Sequence, residues 1–286
     1  MRASLFLSAL SVSSVMAAPV LPEINANSAH ADSLKKVSEY FNLLAVKIQQ
    51  SKFESAVPTC DLSKVVMPQG KPFSHHHPLS YLFHLHTNSQ KAPSPLPAPS
   101  FGLTLKHVAL GRGTQNYTCD TTNATAIPVA NGAVASLFNA SCIVAAYPDI
   151  GAMLSGVSMS FNLSNLASIA SSLPPSFLKQ TLAPTSGMAV SGAHYFTNAS
   201  TPFFNMDASQ WKIGEAPCAK NNSAPAPEAA AKGQQGEKAV PWLKLVTRPG
   251  ATGGLQEVYR VETAGGSAPE TCKGMPAAFE VQYAAQ

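Results

Sequence analysis

Charge is scarce in this chain. Of 286 residues only 12% are Asp, Glu, Lys or Arg, and the net charge of +4 contains no basic run. An ordinary globular domain carries about a quarter. A nucleic-acid binder is thereby excluded, because phosphate contacts need clustered Lys and Arg. No Cys-x-x-Cys spacing occurs among the five cysteines, which removes the usual zinc ribbons and the thioredoxin-like redox motif. Gly-x-Ser-x-Gly is absent, and with it the nucleophile elbow of α/β-hydrolases. Beyond the first residues, no run is long and apolar enough to cross about 30 Å of hydrocarbon, and the last residues carry no anchor or retention signal. No membrane span is expected.

What is present points outside the cell. Met1-Arg2-Ala3-Ser4 is followed by an apolar run to Val15, and Val15-Met16-Ala17 places small residues at −3 and −1. This reads as a signal peptide, residues 1–17, cut after Ala17 or Ala18. Six of fourteen asparagines lie in Asn-x-Ser/Thr sequons: Asn116, Asn123, Asn139, Asn162, Asn198 and Asn221. The cysteines, Cys60, Cys119, Cys142, Cys218 and Cys272, are widely spaced. In an oxidising compartment they read as two disulfides and one leftover thiol, each bridge contributing about 4 kcal/mol in the chain-entropy model. A secreted glycoprotein is the expectation.

The chain divides by composition. Residues 18–57 form an N-terminal helical segment, in which Leu34, Val37, Phe41, Leu44 and Ile48 make one apolar stripe. Residues 58–100 are irregular, rich in Pro and His, and end in a linker, 87–100, whose Ser94-Pro95-Leu96-Pro97-Ala98-Pro99 cannot be a helix. Residues 101–286 read as a β-rich domain interrupted by a mobile low-complexity loop, 219–239. Within it, strands are expected at 103–110, 115–119, 133–138 and 188–196, with short helical pieces in 143–173. Three alternating runs around 242–247, 257–262 and 279–283 form an antiparallel meander. The fold class expected is mainly β: an antiparallel β-sandwich or barrel-like domain with a short N-terminal helix and a few short helical insertions.

Four segments carry a resemblance. They are residues 103–119 (Leu-Thr-Leu-Lys-His-Val-Ala-Leu-Gly-Arg-Gly-Thr-Gln-Asn-Tyr-Thr-Cys), 191–196 (Ser-Gly-Ala-His-Tyr-Phe), 240–245 (Val-Pro-Trp-Leu-Lys-Leu) and 257–266 (Glu-Val-Tyr-Arg-Val-Glu-Thr-Ala-Gly-Gly). Together they resemble a fungal secreted family of unknown function with bacterial relatives, whose members automated labelling often calls malate dehydrogenase. The likeness covers residues 55–70 and 93–285. It implies a secreted β-rich domain with a bridge between Cys119 and Cys272. The family pattern has Gly-His-His where this chain has Gly192-Ala193-His194, which removes a His pair. Residues 70–91 have no counterpart in the family and hold five of the eight histidines. They read as a retained intron translated in frame, which sequencing the cDNA decides.

The dehydrogenase label is weakly supported by the residues. Gly111-Arg112-Gly113 follows a strand, as a dinucleotide fingerprint would, but the third glycine is missing and no helix follows. A turn between two strands accounts for these glycines, and no cofactor is expected. His75, His76, His77, His84 and His86 offer imidazoles for a metal, but on proline-broken sequence that gives no rigid site, so no metal is expected. Asp149, Asp207, Glu215, Glu257 and Glu262 are the acids open to a glycosidase pair, which sequence cannot match up. The ligand-binding cluster singled out is His194, Trp242 and Arg260, with an exposed aromatic reading a carbohydrate or the cell wall. The function expected is an extracellular or cell-wall-associated binding or structural module. The alternative is a secreted carbohydrate-active enzyme or oxidoreductase.

Overall fold

The computed structural model describes residues 46, 60–68, 92–160, 190–207 and 212–286. The expected signal peptide, the helix at 31–50 (apart from Val46, which is helical), the histidine-rich stretch 70–91 and Asn162 lie outside the described residues.

Nine strands are described: β1 (Ala109–Thr118), β2 (Val129–Asn139), β3 (Val190–Asn198), β4 (Thr201–Asn205), β5 (Glu215–Ala224), β6 (Trp242–Thr247), β7 (Glu257–Arg260), β8 (Ala264–Gly265) and β9 (Ala278–Ala285). Two helices, α1 (Ser141–Ala146) and α2 (Pro148–Ser158), separate β2 from β3. The strands form one antiparallel sheet in the order β7-β6-β5-β4-β3-β2-β1-β9-β8. From β1 to β7 each strand pairs with the next in sequence, and β9 returns to the free edge of β1. Register shifts at Gln115/Tyr117, Leu137/Phe138, Phe196/Asn198 and Lys220/Asn222 bend this ribbon. The outcome is a curled half-barrel. Of the two architectures expected, it is the barrel-like one, and no second sheet packs on it among the described residues.

The two edges of the sheet meet at one end. β7 stops at Arg260 and β8 begins at Ala264, and between them Val261 exchanges both backbone hydrogen bonds with Gln286, at 2.8 and 2.9 Å. The convex face of β1, β2 and β9 is covered by α1 and α2. There Ile143, Ile150, Leu154 and Met159 pack on Leu110, Phe138 and Ala284. Asn139 accepts from the Ser141 amide at the start of α1, and Pro148 with Asp149 opens α2, where Pro gives up no needed donor and the carboxylate meets the helix dipole. Arg112 is buried beneath α2 and donates to the carbonyls of Ser158, Gly113 and Tyr283 and to Gln282 Oε1.

Four expectations are corrected. Residues 103–108 are not strand, and Gly111-Arg112-Gly113 is no turn; it lies inside β1. The glycines serve close approach: a Cβ on Gly113 would sit 1.9 Å from the Val134 carbonyl oxygen. The last three strands are not a meander, because β7 pairs with β6 whereas β9 pairs with β1 and β8. Strand β5 also takes in residues 219–224, the start of the stretch expected as a loop. The remainder carries no strand or helix and is fastened where Gly265 N donates to Ala231 O at 3.0 Å.

Cys60 pairs with Cys142 and Cys119 with Cys272, and Cys218 is a free, buried thiol. The substitution Gly113→Ala forces β1 and β2 apart, at a cost of about 1–3 kcal/mol. A lower urea midpoint with an unchanged m-value is the expected reading, and an unaltered midpoint would show that the approach is not tight.

Candidate functional site

The concave face of the half-barrel encloses a cavity of about 1300 Å³. Several of its lining positions on three adjacent strands carry little or no side chain: Gly111 on β1, Ala130 and Gly132 on β2, Ala285 on β9. Opposite them the wall is apolar, with Phe204 on β4, Leu243 and Leu245 on β6 and Val258 on β7. Among the polar residues that line it are Gln115, His194, Arg260 and Tyr283.

His194 Nδ1 lies 3.0 Å from the Phe203 carbonyl oxygen. A carbonyl only accepts, so Nδ1 carries the proton and Nε2 presents a lone pair. The ring stacks on Phe204 at a centroid distance of 4.3 Å and meets Phe196 edge-on at 5.7 Å. Burial pushes its pKa down to about 4, with the bond to Phe203 opposing and the charge of Arg260 assisting. The imidazole is therefore neutral at pH 7. Arg260 donates from Nε and Nη2 to the Pro241 carbonyl, at 3.2 and 2.8 Å. Burial holds its pKa below the usual guanidinium value, with Tyr283 and Tyr117 opposing. Tyr283 is raised by burial, against the influence of Arg260 and Gln115.

Of the three residues expected to cluster, the fold brings His194 and Arg260 to this cavity and leaves Trp242 out of it. Trp242 is fully buried on the other side of β6, against Leu96, Ala224 and Val261. Trp242 thus lies on a buried face of β6 rather than an exposed one. The reason is the proline-rich segment before β1, which is not a free linker. Lys244 Nζ donates to Ala98 O at 2.8 Å, Tyr259 Oη to Pro97 O at 2.9 Å, and Ser100 Oγ to Glu257 Oε1 at 2.6 Å, while Lys244 and Glu257 pair at 3.0 Å. This strap lays Leu96 over Trp242.

Sequence reasoning missed Gln115 and Tyr283. A signal existed in the alternation Gly111-x-Gly113-x-Gln115, which marks a strand face emptied of side chains just before a polar one.

The remaining chemistry is already engaged. Gly111-Arg112-Gly113 sits in mid-strand, so no strand-turn-helix geometry for a pyrophosphate forms there. His107 stands between two hydroxyls, Ser191 Oγ at 3.0 Å from Nε2 and Ser141 Oγ at 3.2 Å from Nδ1. Both serines are buried, and Ser191 donates to Leu137 O, so neither is presented as a nucleophile. Burial lowers His107 to a pKa of about 4 and raises Cys218 to about 12, which leaves the thiol unreactive. Asp207 accepts from the Gly214 amide, and Asp149 from that of Ile150. Of the sequons, Asn123, Asn198 and Asn221 are exposed, and Asn116 and Asn139 are half-buried.

Comparison with known proteins adds one finding. The sequence pattern of a family described as a protein of unknown function (DUF3455) matches residues 99–286. The chain belongs to that family. The match begins inside the strap and spans every strand, so the half-barrel lies within the family domain, while part of the cavity lining, from Leu62 to Pro68, precedes it. No curated protein and no solved structure matches the chain.

Glu262 is the remaining anomaly. It sits in the crossing between β7 and β8 with φ of 48°, is 2% exposed, and neither carboxylate oxygen has a partner among the described residues. It does not line the cavity, and burial raises its pKa to about 8. A raised folded-state pKa means stability complete below about pH 4.5 and lost as pH climbs to about 8, by at most about 1.4 kcal/mol per pH unit. In urea titrations from pH 4.5 to 8, Glu262→Gln is expected to remove that downward slope. Parallel curves for the two proteins would show the carboxyl to be ionised in the fold.

Proposed function

We propose that this chain is a secreted, non-catalytic binding protein that takes a small, largely apolar molecule into its half-barrel. One observation carries the reading: an apolar cavity with a few convergent polar groups, larger than the roughly 300–1,000 Å³ of most ligand sites. A barrel interior not filled by side chains is the usual place for such a ligand. The cell-wall carbohydrate reading has a buried tryptophan, and the enzyme reading has in the cavity lining one acid, Glu257, already engaged by Lys244 and Ser100.

The extracellular address rests on the N-terminal leader pattern, the exposed sequons at Asn123, Asn198 and Asn221, and the two bridges. No described helix is long and apolar enough to cross a membrane. The two disulfides close separations of 82 and 153 residues, the kind of covalent constraint that persists in oxidising surroundings. Intact mass of the protein secreted by its own cells, before and after deglycosylation and alkylation, is expected to show a start near Ala18, glycan loss and four oxidised cysteines. A glycan-free product with five alkylated thiols would refute the address.

The cavity itself is tested with a neutral fluorescent probe, N-phenyl-1-naphthylamine, added to the purified full chain. Enhanced, saturable emission is expected. The substitution Leu243→Trp, which fills the lumen from a half-buried wall position, is expected to weaken it about tenfold or more. Saturable emission that Leu243→Trp leaves unchanged would place the probe elsewhere and sink the reading.

A further inference from the structure

Arg260 is a cation carried into the wall of the cavity without a counter-ion. Its five N–H groups meet one carbonyl, that of Pro241. Among the described residues the ion pairs are Lys64–Asp61, Lys238–Glu270 and Lys244–Glu257, and no carboxylate pairs with Arg260. The acid nearest in sequence on the cavity wall, Glu257, is consumed by Lys244 and Ser100. Arg260 is half-buried, and burial lowers its pKa, the mark of a partly desolvated charge with no counter-ion beside it.

A second donor stands nearby in the same condition. Gln115 is 8% exposed, lines the same cavity, and its Nε2 is buried without an acceptor. Tyr283, on β9 next to β1, interacts with both Gln115 and Arg260, which puts the two donors at the same end of the lumen. Neither donor can satisfy the other; both need an acceptor. No acid lining the cavity is free to supply one.

The register gives the direction of the rest. Arg260 pairs with Leu243, and two residues back along β7 Val258 pairs with Leu245. Val258, Leu245, Phe204 and Ala216 form one apolar cluster with Leu255. The wall thus runs from a donor-rich end, where the sheet edges meet at Val261 and Gln286, to an apolar end around β4 to β6.

We propose that the lumen takes an amphiphilic monoanion, with a carboxylate on the free N–H groups of Arg260 and the amide of Gln115 and a hydrocarbon body along Leu243, Leu245, Val258 and Phe204. This rests on the cavity reading above and adds the ligand class to it. A carboxylate satisfies both donors at once, and hydrogen bonds of this charge-assisted kind are about twice as strong as neutral ones. The apolar wall supplies non-directional affinity for the tail.

The test compares dodecanoate with dodecan-1-ol, which share a tail and differ in the head, as displacers of N-phenyl-1-naphthylamine from the purified full chain. Dodecanoate is expected to displace the probe at about tenfold lower concentration. The substitution Arg260→Gln is expected to abolish that preference, so that acid and alcohol displace the probe at similar concentrations, and Arg260→Lys to restore part of it. Gln115→Leu is expected to narrow the ratio of alcohol to acid severalfold, and it decides the matter if the Arg260 variants do not fold. Equal displacement by acid and alcohol would overturn the anion while leaving the cavity reading intact. So would an acid preference that survives both Arg260→Gln and Gln115→Leu. Failure of the probe and of both displacers to bind would overturn the two together.

Discussion

The backbone pair between Val261 and Gln286 turns a ribbon of strands into a vessel. A nine-stranded antiparallel sheet left open has two bare edges and two faces, and one face would need a second layer to cover it. Here the chain leaves β7 at Arg260, crosses in three residues to β8, and on the way binds the end of β9. That crossing joins the edges at one end and holds the curl that the register shifts begin. It also sets the chemistry of the interior, because the last residue of β7 is Arg260 and the joined end is where its guanidinium comes to lie. The strain follows the same constraint: Glu262, with a left-handed backbone and an unpartnered carboxyl, is in the middle of the crossing.

Inside and outside of the sheet are built by opposite rules on the same strands. Along β1 the convex positions hold Leu110 and Arg112, bulky and fully used, one in the core beneath the helices and the other bonded to three carbonyls and an amide oxygen. The concave positions hold Gly111, Gly113 and Gln115. Burial of apolar surface against α1 and α2 stabilises the convex side, while the concave side forgoes it. The strap of residues 92–100 then supplies a third layer, fixed by Lys244 and Glu257 over Trp242. The two disulfides act farther out, tying Cys60 to the first turn of α1 and the end of β1 to the segment before β9.

How far the sequence disclosed this differs from place to place. Strands β2, β3, β6 and β9 were legible because their side chains alternate between a buried and a less buried face, the signal a period of two provides. The start of β1 was not, because glycine is also turn chemistry, and only the distance to Val134 tells close approach from a bend. The pairing of β9 with β1 joins residues about 170 apart, and no local pattern encodes a contact of that range. The same holds at the site. His194 and Arg260 were picked as polar residues on strands and do share the cavity. Trp242 was picked as an aromatic that alternation set opposite the leucines, and it faces the strap. Alternation says which residues share a face, not what lies against that face.

A cavity of this size is expensive to maintain. Its apolar lining forgoes packing, which in a solid core is worth several kcal/mol per large side chain. Among the described residues Arg260 has a carbonyl partner but no counter-ion, and Gln115 Nε2 has no hydrogen-bond partner. Substituting larger residues at Ala130 or Ala285 would fill part of the space, and replacing Arg260 by an apolar residue would remove the charge that has no counter-ion. Unpartnered buried polar atoms also occur outside the cavity, at Glu262, Trp242, Ser155 and Ser160, so it is the coincidence of unmet donors with small lining residues, not the unmet donors alone, that marks function there. The unmet donors and the missing side chains share one cavity wall, and a single ligand that brings an acceptor and apolar bulk resolves both.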